Sequence, residues 1–365
     1  MKIVVFGLSI TSAWGNGHAT TFRALLGALH RRGHDIVFYE KDVKWYASNR
    51  DLPAPPYCRL RLYQNWSEIR TEVRRELSDA TVGLVGSYFP DGIAVIDELL
   101  DTPKAVKAFY DIDTPITIAR LRRQNQTEYL KASQIPGFDV YFSFTGGPML
   151  REIEQRFGAR ATIPLYCSFD PRQYRRFRVN KRFACDLSYM GTYAPDRQAK
   201  LEELALRPAE KLPEKRFIIA GPQYPKDIQW PKNVRRIVHL NPRWHARFYS
   251  SSRLTLNVTR REMVIAGYSP SVRLFEAAAS GAAIVSDNWP GLETFFKPGR
   301  EILLPVDAHD VLRYLALEDG ELRRMGEAAQ HRVLAEHTSE VRAQQFETAI
   351  GNPQHSVPAV HALVS

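Results

Sequence analysis

The sequence predicts an α/β protein built from two parallel-sheet domains, and three observations carry that prediction. Short apolar runs alternate with amphipathic stretches from Lys2 to Leu304, the pattern of strands buried on both faces with helices packed over them. The alternation breaks at Asp170–Arg182, DPRQYRRFRVNKR, which is basic, polar and without core periodicity, and then begins again. A chain of 365 residues is long for one such domain and comfortable for two.

In the first series Lys2–Phe6 reads as a strand, and Gly7–Gly17 as a long loop containing Gly15, Asn16, Gly17 and then His18. Ala19–Arg32 reads as a helix with Phe22, Leu25, Leu26 and Leu29 on one stripe, ended by Gly33. Asp35–Tyr39 follows as a strand with Glu40 at its solvated end. This β-loop-α-β opening lacks G-x-G-x-x-G spacing and is a weak dinucleotide fingerprint. After a proline-rich loop, Asp51–Tyr57, come a charged helix over Trp66–Leu77, a strand over Val82–Gly86, a helix over Gly92–Leu100 and a strand over Ala105–Phe109. Then come the stretch Tyr110-Asp111-Ile112-Asp113-Thr114-Pro115, a strand over Asp139–Phe144, a helix over Gly147–Phe157 and a strand over Ala161–Leu165.

The second series has strands over Leu187–Met190, Arg216–Ala220, Val234–His239 and Leu254–Val258, with helices from Pro195 and around His245–Ser250. Tyr268–Phe296 follows, YSPSVRLFEAAASGAAIVSDNWPGLETFF. Ser269 and Pro270 give a hydroxyl N-cap with proline at the first helical position, and Gly281 stops the helix. Ala282–Val285 is a wholly apolar strand. Ile302–Leu304 reads as a last short strand, and from Asp310 to about Ile350 the chain is helical.

Arg273 and Glu276 stand one turn apart in a helix otherwise made of Val, Leu, Phe, Ala and Ser. By themselves they read equally well as a surface ion pair. The stretch SPSVRLFEAAASGAAIVSD resembles the nucleotide-binding signature of the two-domain (GT-B) glycosyltransferases, most of all the spore-maturation CgeB-like enzymes. The resemblance is strongest over residues 186–305 and extends to Ser9–Asp42, Tyr110–Pro115 and Ser143–Asp170. It implies two facing Rossmann-like domains with a cleft between them. The acceptor domain would be residues 1–170, the linker 171–185 and the nucleotide-sugar domain 186–335. A helix over 336–350 would return to the first domain, and 351–365 would be a tail. Glu276 falls where the second glutamate of the family's E-x7-E motif accepts the ribose hydroxyls. The first glutamate is replaced by Tyr268, a departure that leaves its role without an acid.

A nucleoside-diphosphate sugar needs a ribose acceptor, cations or backbone N–H groups for its pyrophosphate, and a slot for its base. Glu276 is the ribose candidate. Ser269, Ser271 and Arg273 at the helix start, the Gly191-Thr192-Tyr193 loop and Arg197 are the diphosphate candidates. Gly221 and Gln223, in Gly221-Pro222-Gln223-Tyr224, are candidates for the wall of the base slot. His18 follows the glycine turn and is the candidate general base, with Asp111 or Asp113 as its orienting partner. Asp111-x-Asp113 also matches the pair that holds manganese in single-domain glycosyltransferases. Two complete α/β series favour instead a metal-independent reaction, with these aspartates lining the acceptor site; the alternative for Asp113 is a helix cap.

The formal charge of +10 favours an anionic partner, and nucleotides, nucleic acid and acidic lipid all qualify. Absence of helix-turn-helix, zinc and RNP-like motifs argues against nucleic acid. Cys58, Cys167 and Cys185 form neither a disulfide framework nor a zinc site. No apolar run reaches the roughly 18 residues of a membrane span, and MKIVVFGLSI reads as a first strand rather than a signal peptide. These features predict a cytoplasmic location, with peripheral contact at an anionic inner membrane face through the basic linker. The expectation is a hexosyltransferase-type enzyme that needs no cofactor beyond its donor substrate. The acceptor, whether glycan, lipid, protein or small molecule, is not specified. The alternatives are a nucleotide-sugar epimerase or phosphorylase of the same architecture and, from another class, a basic nucleic-acid- or surface-binding protein.

Overall fold

Lys2–Phe6 forms an inner strand of the first sheet because its four apolar residues, Ile3, Val4, Val5 and Phe6, can be buried on both faces; each is fully buried. The computed structural model describes residues 1–15 and 17–352; Asn16 and the end of the expected tail, 353–365, lie outside the described residues. The strands are β1 (Lys2–Phe6), β2 (Asp35–Lys41), β3 (Arg59–Tyr63), β4 (Val82–Gly86), β5 (Val106–Asp111), β6 (Val140–Ser143) and β7 (Thr162–Pro164). They form one sheet in the order β3-β2-β1-β4-β5-β6-β7, with every neighbouring pair parallel. The order reverses between β1 and β4. In open parallel sheets, ligands bind outside the carboxyl ends of the strands at such a crossover.

The second sheet is β8 (Cys185–Met190), β9 (Phe217–Ala220), β10 (Val234–Ile237), β11 (Ser252–Asn257) and β12 (Ala283–Ser286). Its order is β10-β9-β8-β11-β12, again wholly parallel, so its crossover lies between β8 and β11. The chain divides into two compact Rossmann-like units, residues 168–338 and residues 1–167 with the segment from 339 onward. The final helix, Ser339–Gly351, belongs to the first unit: Phe346 is fully buried and stacks on Phe142 at 5.3 Å between ring centroids. Burying one such ring contributes about 1.5–3 kcal/mol. Arg32 and His34 hold Glu347 on that helix. The Arg32 hydrogen bonds, ahead of those from His34, pull its carboxyl down to about 2. Residues 171–183, read above as linker, pack on the second unit through buried Tyr174 and Phe183.

Several local expectations change. β3 was not evident because Arg59-Leu60-Arg61-Leu62-Tyr63 is an edge strand whose only fully buried side chain is Tyr63. Ile302–Leu304 makes only isolated bridges, Val285 with Leu303 and Pro298 with Ile302. The signature helix is Val272–Ala279, capped by Ser271, not by Ser269. Two serines flank Pro270, and the second wins because its Oγ accepts both Arg273 N–H at 3.4 Å and Arg273 Nε at 3.1 Å.

Candidate active site

At the first crossover the loop after β1 is pinned before it reaches His18. Glu40, at the end of β2, is fully buried rather than solvated. Its carboxylate accepts from Ile10 N at 2.6 Å, Thr11 N at 3.0 Å, Thr11 Oγ1 at 2.6 Å and Ser9 Oγ at 3.1 Å. Four donors to one carboxylate fix the loop without a counter-charge. Arg23 and Asp51 secure its far side, with Arg23 Nε on Ile10 O at 2.8 Å and Asp51 accepting Ala13 N at 2.9 Å. Gly15 then turns with φ 60° and lies open to solvent, and Gly17 opens the helix Gly17–Arg31.

His18, on that helix, is buried, and its Nε2 lies 3.4 Å from Asp113 Oδ2. Asp113 occupies the N-cap position of the helix Thr114–Gln124 but makes no side-chain cap bond. Asp111, at the end of β5, does not share this exposure. Its fully buried carboxyl takes hydrogen bonds from Tyr141 Oη at 2.6 Å, Thr117 Oγ1 at 2.8 Å and Asp113 N at 3.3 Å. Burial pushes it up to about 7 against those hydrogen bonds, with the Asp113 charge adding to the rise. Asp111 thus holds the backbone of Asp113, and it is Asp113 that meets His18. Tyr88, with φ 62°, packs edge-on to His18 at 5.5 Å and against Tyr129 at 4.9 Å, and Tyr129 Oη meets Thr117 Oγ1 at 2.7 Å.

At the second crossover the central residue is Arg273. Its Nη1 donates to Met190 O, at the end of β8, and its Nη2 to Val258 O, just after β11, each at 3.1 Å. The guanidinium thus bridges the two strands between which the order reverses. Gly191 is required beside it: a Cβ there would meet Arg273 Nη1 and Tyr189 Oη, both at 2.6 Å. Arg197, on the helix Pro195–Leu201, is also buried and donates through Nη2 to Thr192 O. Its Nε has no partner among the described residues. Burial, and then the charge of Arg273, lower its pKa. The two guanidiniums thus lie close enough to repel each other, and neither has an ion-pair partner among the described residues.

Glu276 is 3% exposed. Burial raises its carboxyl to about 7, opposed by a Tyr174 hydrogen bond and the Arg273 charge. Gly221, with φ 144°, lies so close to the Gly191 loop that a Cβ would fall 1.9 Å from Gly191 O. Tyr193 N donates to Pro222 O at 3.0 Å and Tyr224 Oη to Gly191 O at 3.3 Å, which joins the two loops. Gln223 is exposed, with φ 66°. Tyr268, with φ 47°, lies over Gly291, and Ser269 is buried beside Pro270.

Residues 197–348 match the family model described as glycosyl transferase-like. Solved structures extend the likeness to the whole fold. A sucrose-phosphate synthase from Thermosynechococcus elongatus superposes with a TM-score of 0.69 at 12% identity, over 96% of this chain and 98% of its own. The Anabaena protein HepE, in complex with UDP and glucose, gives 0.67 at 10% identity over 96% and 100%. An alpha-glucosyltransferase in complex with UDP-glucose and DNA containing an abasic site gives 0.67 at 13% identity over 96% and 98%. The fold is GT-B. No protein of curated function matches the chain by sequence.

Within the glycosyl transferase-like region, two groups were not evident from sequence. Arg236 is sandwiched at 4.0 Å from the Tyr224 ring centroid and 4.5 Å from that of Trp230, and donates to Ile219 O and Gly221 O. It stiffens the Gly221 loop; the six-residue steps from Tyr224 to Trp230 to Arg236 match neither the helical nor a strand-length repeat, so nothing in the sequence flagged the group. At the ends of β11 and β12, Asn257, Thr259 and Asp287 form a buried network, with Thr259 N and Oγ1 on Asp287 Oδ1 at 3.0 and 2.9 Å. Burial raises the Asp287 carboxyl. Among the described residues no cluster of three or more His, Cys, Asp or Glu is arranged to hold a metal ion. No described helix is long and apolar enough to cross a membrane.

Proposed function

We propose that this protein is a metal-independent GT-B glycosyltransferase that moves a hexosyl group from a nucleoside-diphosphate sugar to an acceptor hydroxyl. The observation that carries the reading is the pair Arg197 and Arg273 at the crossover of the second sheet, beside the helix bearing Glu276. The diphosphate binds these guanidiniums and the N–H groups of the Gly191 loop, the ribose hydroxyls donate to Glu276, and the base lies against the Gly221–Tyr224 turn. The relatives solved with UDP and UDP-glucose support a UDP-hexose donor. The cysteine usage supports a cytoplasmic location.

In the transfer, the bond from the anomeric carbon to the diphosphate breaks as the acceptor oxygen attacks. The leaving diphosphate gathers negative charge, which the two arginines stabilise where an ion would otherwise be needed. The acceptor proton passes to His18, held by Asp113, whose backbone N–H is held in turn by Asp111, itself fixed by Tyr141 and Thr117. This role for His18 entails inversion at the anomeric carbon.

The test is thermal shift and calorimetry with UDP and a panel of nucleotide sugars in EDTA. A nucleoside diphosphate at 100 times its dissociation constant should add about 2.7 kcal/mol to stability. No shift with any nucleoside diphosphate would refute donor binding.

A further inference from the structure

The second unit carries an aromatic and basic face that the donor site does not use. Phe177 N donates to Ser250 Oγ at 3.1 Å and Asn180 N to Ser251 Oγ at 2.9 Å, which ties the loop 171–183 to the residues immediately before β11. Phe183 lies just before β8 and packs on Trp244, with ring centroids 6.0 Å apart. This face is thus at the amino ends of β8 and β11. The Arg273 site is at their carboxyl ends, a strand length of roughly 17–20 Å away. A bound diphosphate cannot account for it.

Six cations gather there: Arg175, Arg178, Lys181, Arg182, Arg243 and Arg247. All but half-buried Arg247 are exposed. Neighbouring Arg172 and Arg176 are paired with Asp170 and Glu327; among the described residues these six have no carboxylate partner. Four of them stand on rings instead. Arg175 and Arg247 lie 5.1 and 4.4 Å from the Phe177 centroid, Arg182 lies 5.5 Å from Phe183, and Arg243 and Arg247 lie 5.7 and 5.5 Å from Trp244. In their midst Val179 is 66% exposed.

We propose that this face docks the protein on an anionic bilayer surface. A row of unpaired Arg and Lys is what the negative leaflet potential attracts, and one exposed aliphatic tip among them suits shallow insertion at the headgroup level. Single-stranded nucleic acid would need open ring faces for its bases. Here the rings are covered by guanidiniums or, like Phe183, fully buried.

The experiment is co-sedimentation of the full chain with phosphatidylcholine vesicles, with and without about one-third phosphatidylglycerol, at rising salt. Binding should require the anionic lipid and weaken as salt screens it. The combined variant Arg175→Gln, Arg178→Gln, Lys181→Gln and Arg243→Gln should lower partitioning at least about tenfold, and Val179→Asp should lower it with all the cations retained. Both variants should keep wild-type UDP affinity and near-ultraviolet circular dichroism. Equal binding to neutral vesicles, no binding to anionic ones, or variants that bind like the wild type would overturn the proposal. So would an oligonucleotide bound more tightly than the vesicles and lost in the same variants.

Discussion

Glu276→Gln separates a structural carboxyl from a ligand-binding one. The carboxyl of Glu276 is fully buried, and its pKa is raised from 4.5 to about 7. A group whose folded pKa is raised binds more protons in the native state than in the unfolded state between those two values. Stability therefore falls as pH rises across that window. At 1.36 kcal/mol per pH unit the total comes to roughly 3 kcal/mol, all of it lost above about pH 8. Glutamine keeps the shape and an acceptor for Tyr174 but cannot ionise. Urea unfolding of both proteins should give similar midpoints near pH 4.5 and a more stable variant at pH 8. Asp111, also raised to about 7, is present in both proteins, so the difference between profiles isolates Glu276. Ribose hydroxyls stabilise the ionised form, so wild-type UDP affinity should climb from pH 5 to pH 8. The variant should bind about 10- to 100-fold more weakly at pH 8, the worth of a charge-assisted hydrogen bond, and show no such climb. Parallel stability profiles would refute the buried titration. Unchanged UDP affinity in calorimetry would refute ribose binding even if the stability effect appears.

His18→Ala should lower kcat about 10²–10⁴-fold with UDP affinity unchanged; NMR of the first-formed product should show inverted configuration, and retention would remove the base role. Arg197→Ala should weaken UDP binding by at least about tenfold, read by calorimetry, because it deletes a buried charge-assisted donor. Turnover should persist in EDTA; loss of activity restored by manganese would return Asp111 and Asp113 to consideration as metal ligands.

What was legible in the sequence was periodic. The strands buried on two faces, such as β1, β4, β9 and β12, declared themselves as apolar runs, and Phe22, Leu25, Leu26 and Leu29 form the buried stripe that their spacing required. β3 lacked that signal because its arginines and Leu62 face solvent at the sheet edge. Caps were ambiguous where two serines flank one proline, and only the backbone decides between Ser269 and Ser271. At the site, Arg273 and Glu276 were visible as the only charges in an apolar helix, but their different surroundings were not. Arg273 spends its donors on Met190 and Val258, brought to it by the sheet order. Glu276 meets Tyr174, about a hundred residues away in a stretch that reads as linker. Glu40 shows the same limit from the other side: a strand-end glutamate looks solvated until the loop that wraps it is known.

The two crossovers differ in charge, and that difference supports the division of tasks proposed above. The first gathers carboxyls: Glu40 within the loop, Asp113 against His18 and Asp111 behind it. A diphosphate brought there would meet like charge in surroundings that screen poorly. A neutral hydroxyl would meet a histidine already oriented by an acid, which is the arrangement a proton acceptor needs. The second gathers guanidiniums, Arg197 and Arg273, and burial followed by the Arg273 charge lowers the Arg197 pKa. On the proposed reading a diphosphate there would offset the repulsion between the two guanidiniums and accept charge-assisted hydrogen bonds from them. The +10 net charge is thus not spread evenly. One share lies at the crossover proposed to bind the diphosphate, and another at the opposite end of the same strands, on the face proposed to dock on an anionic bilayer.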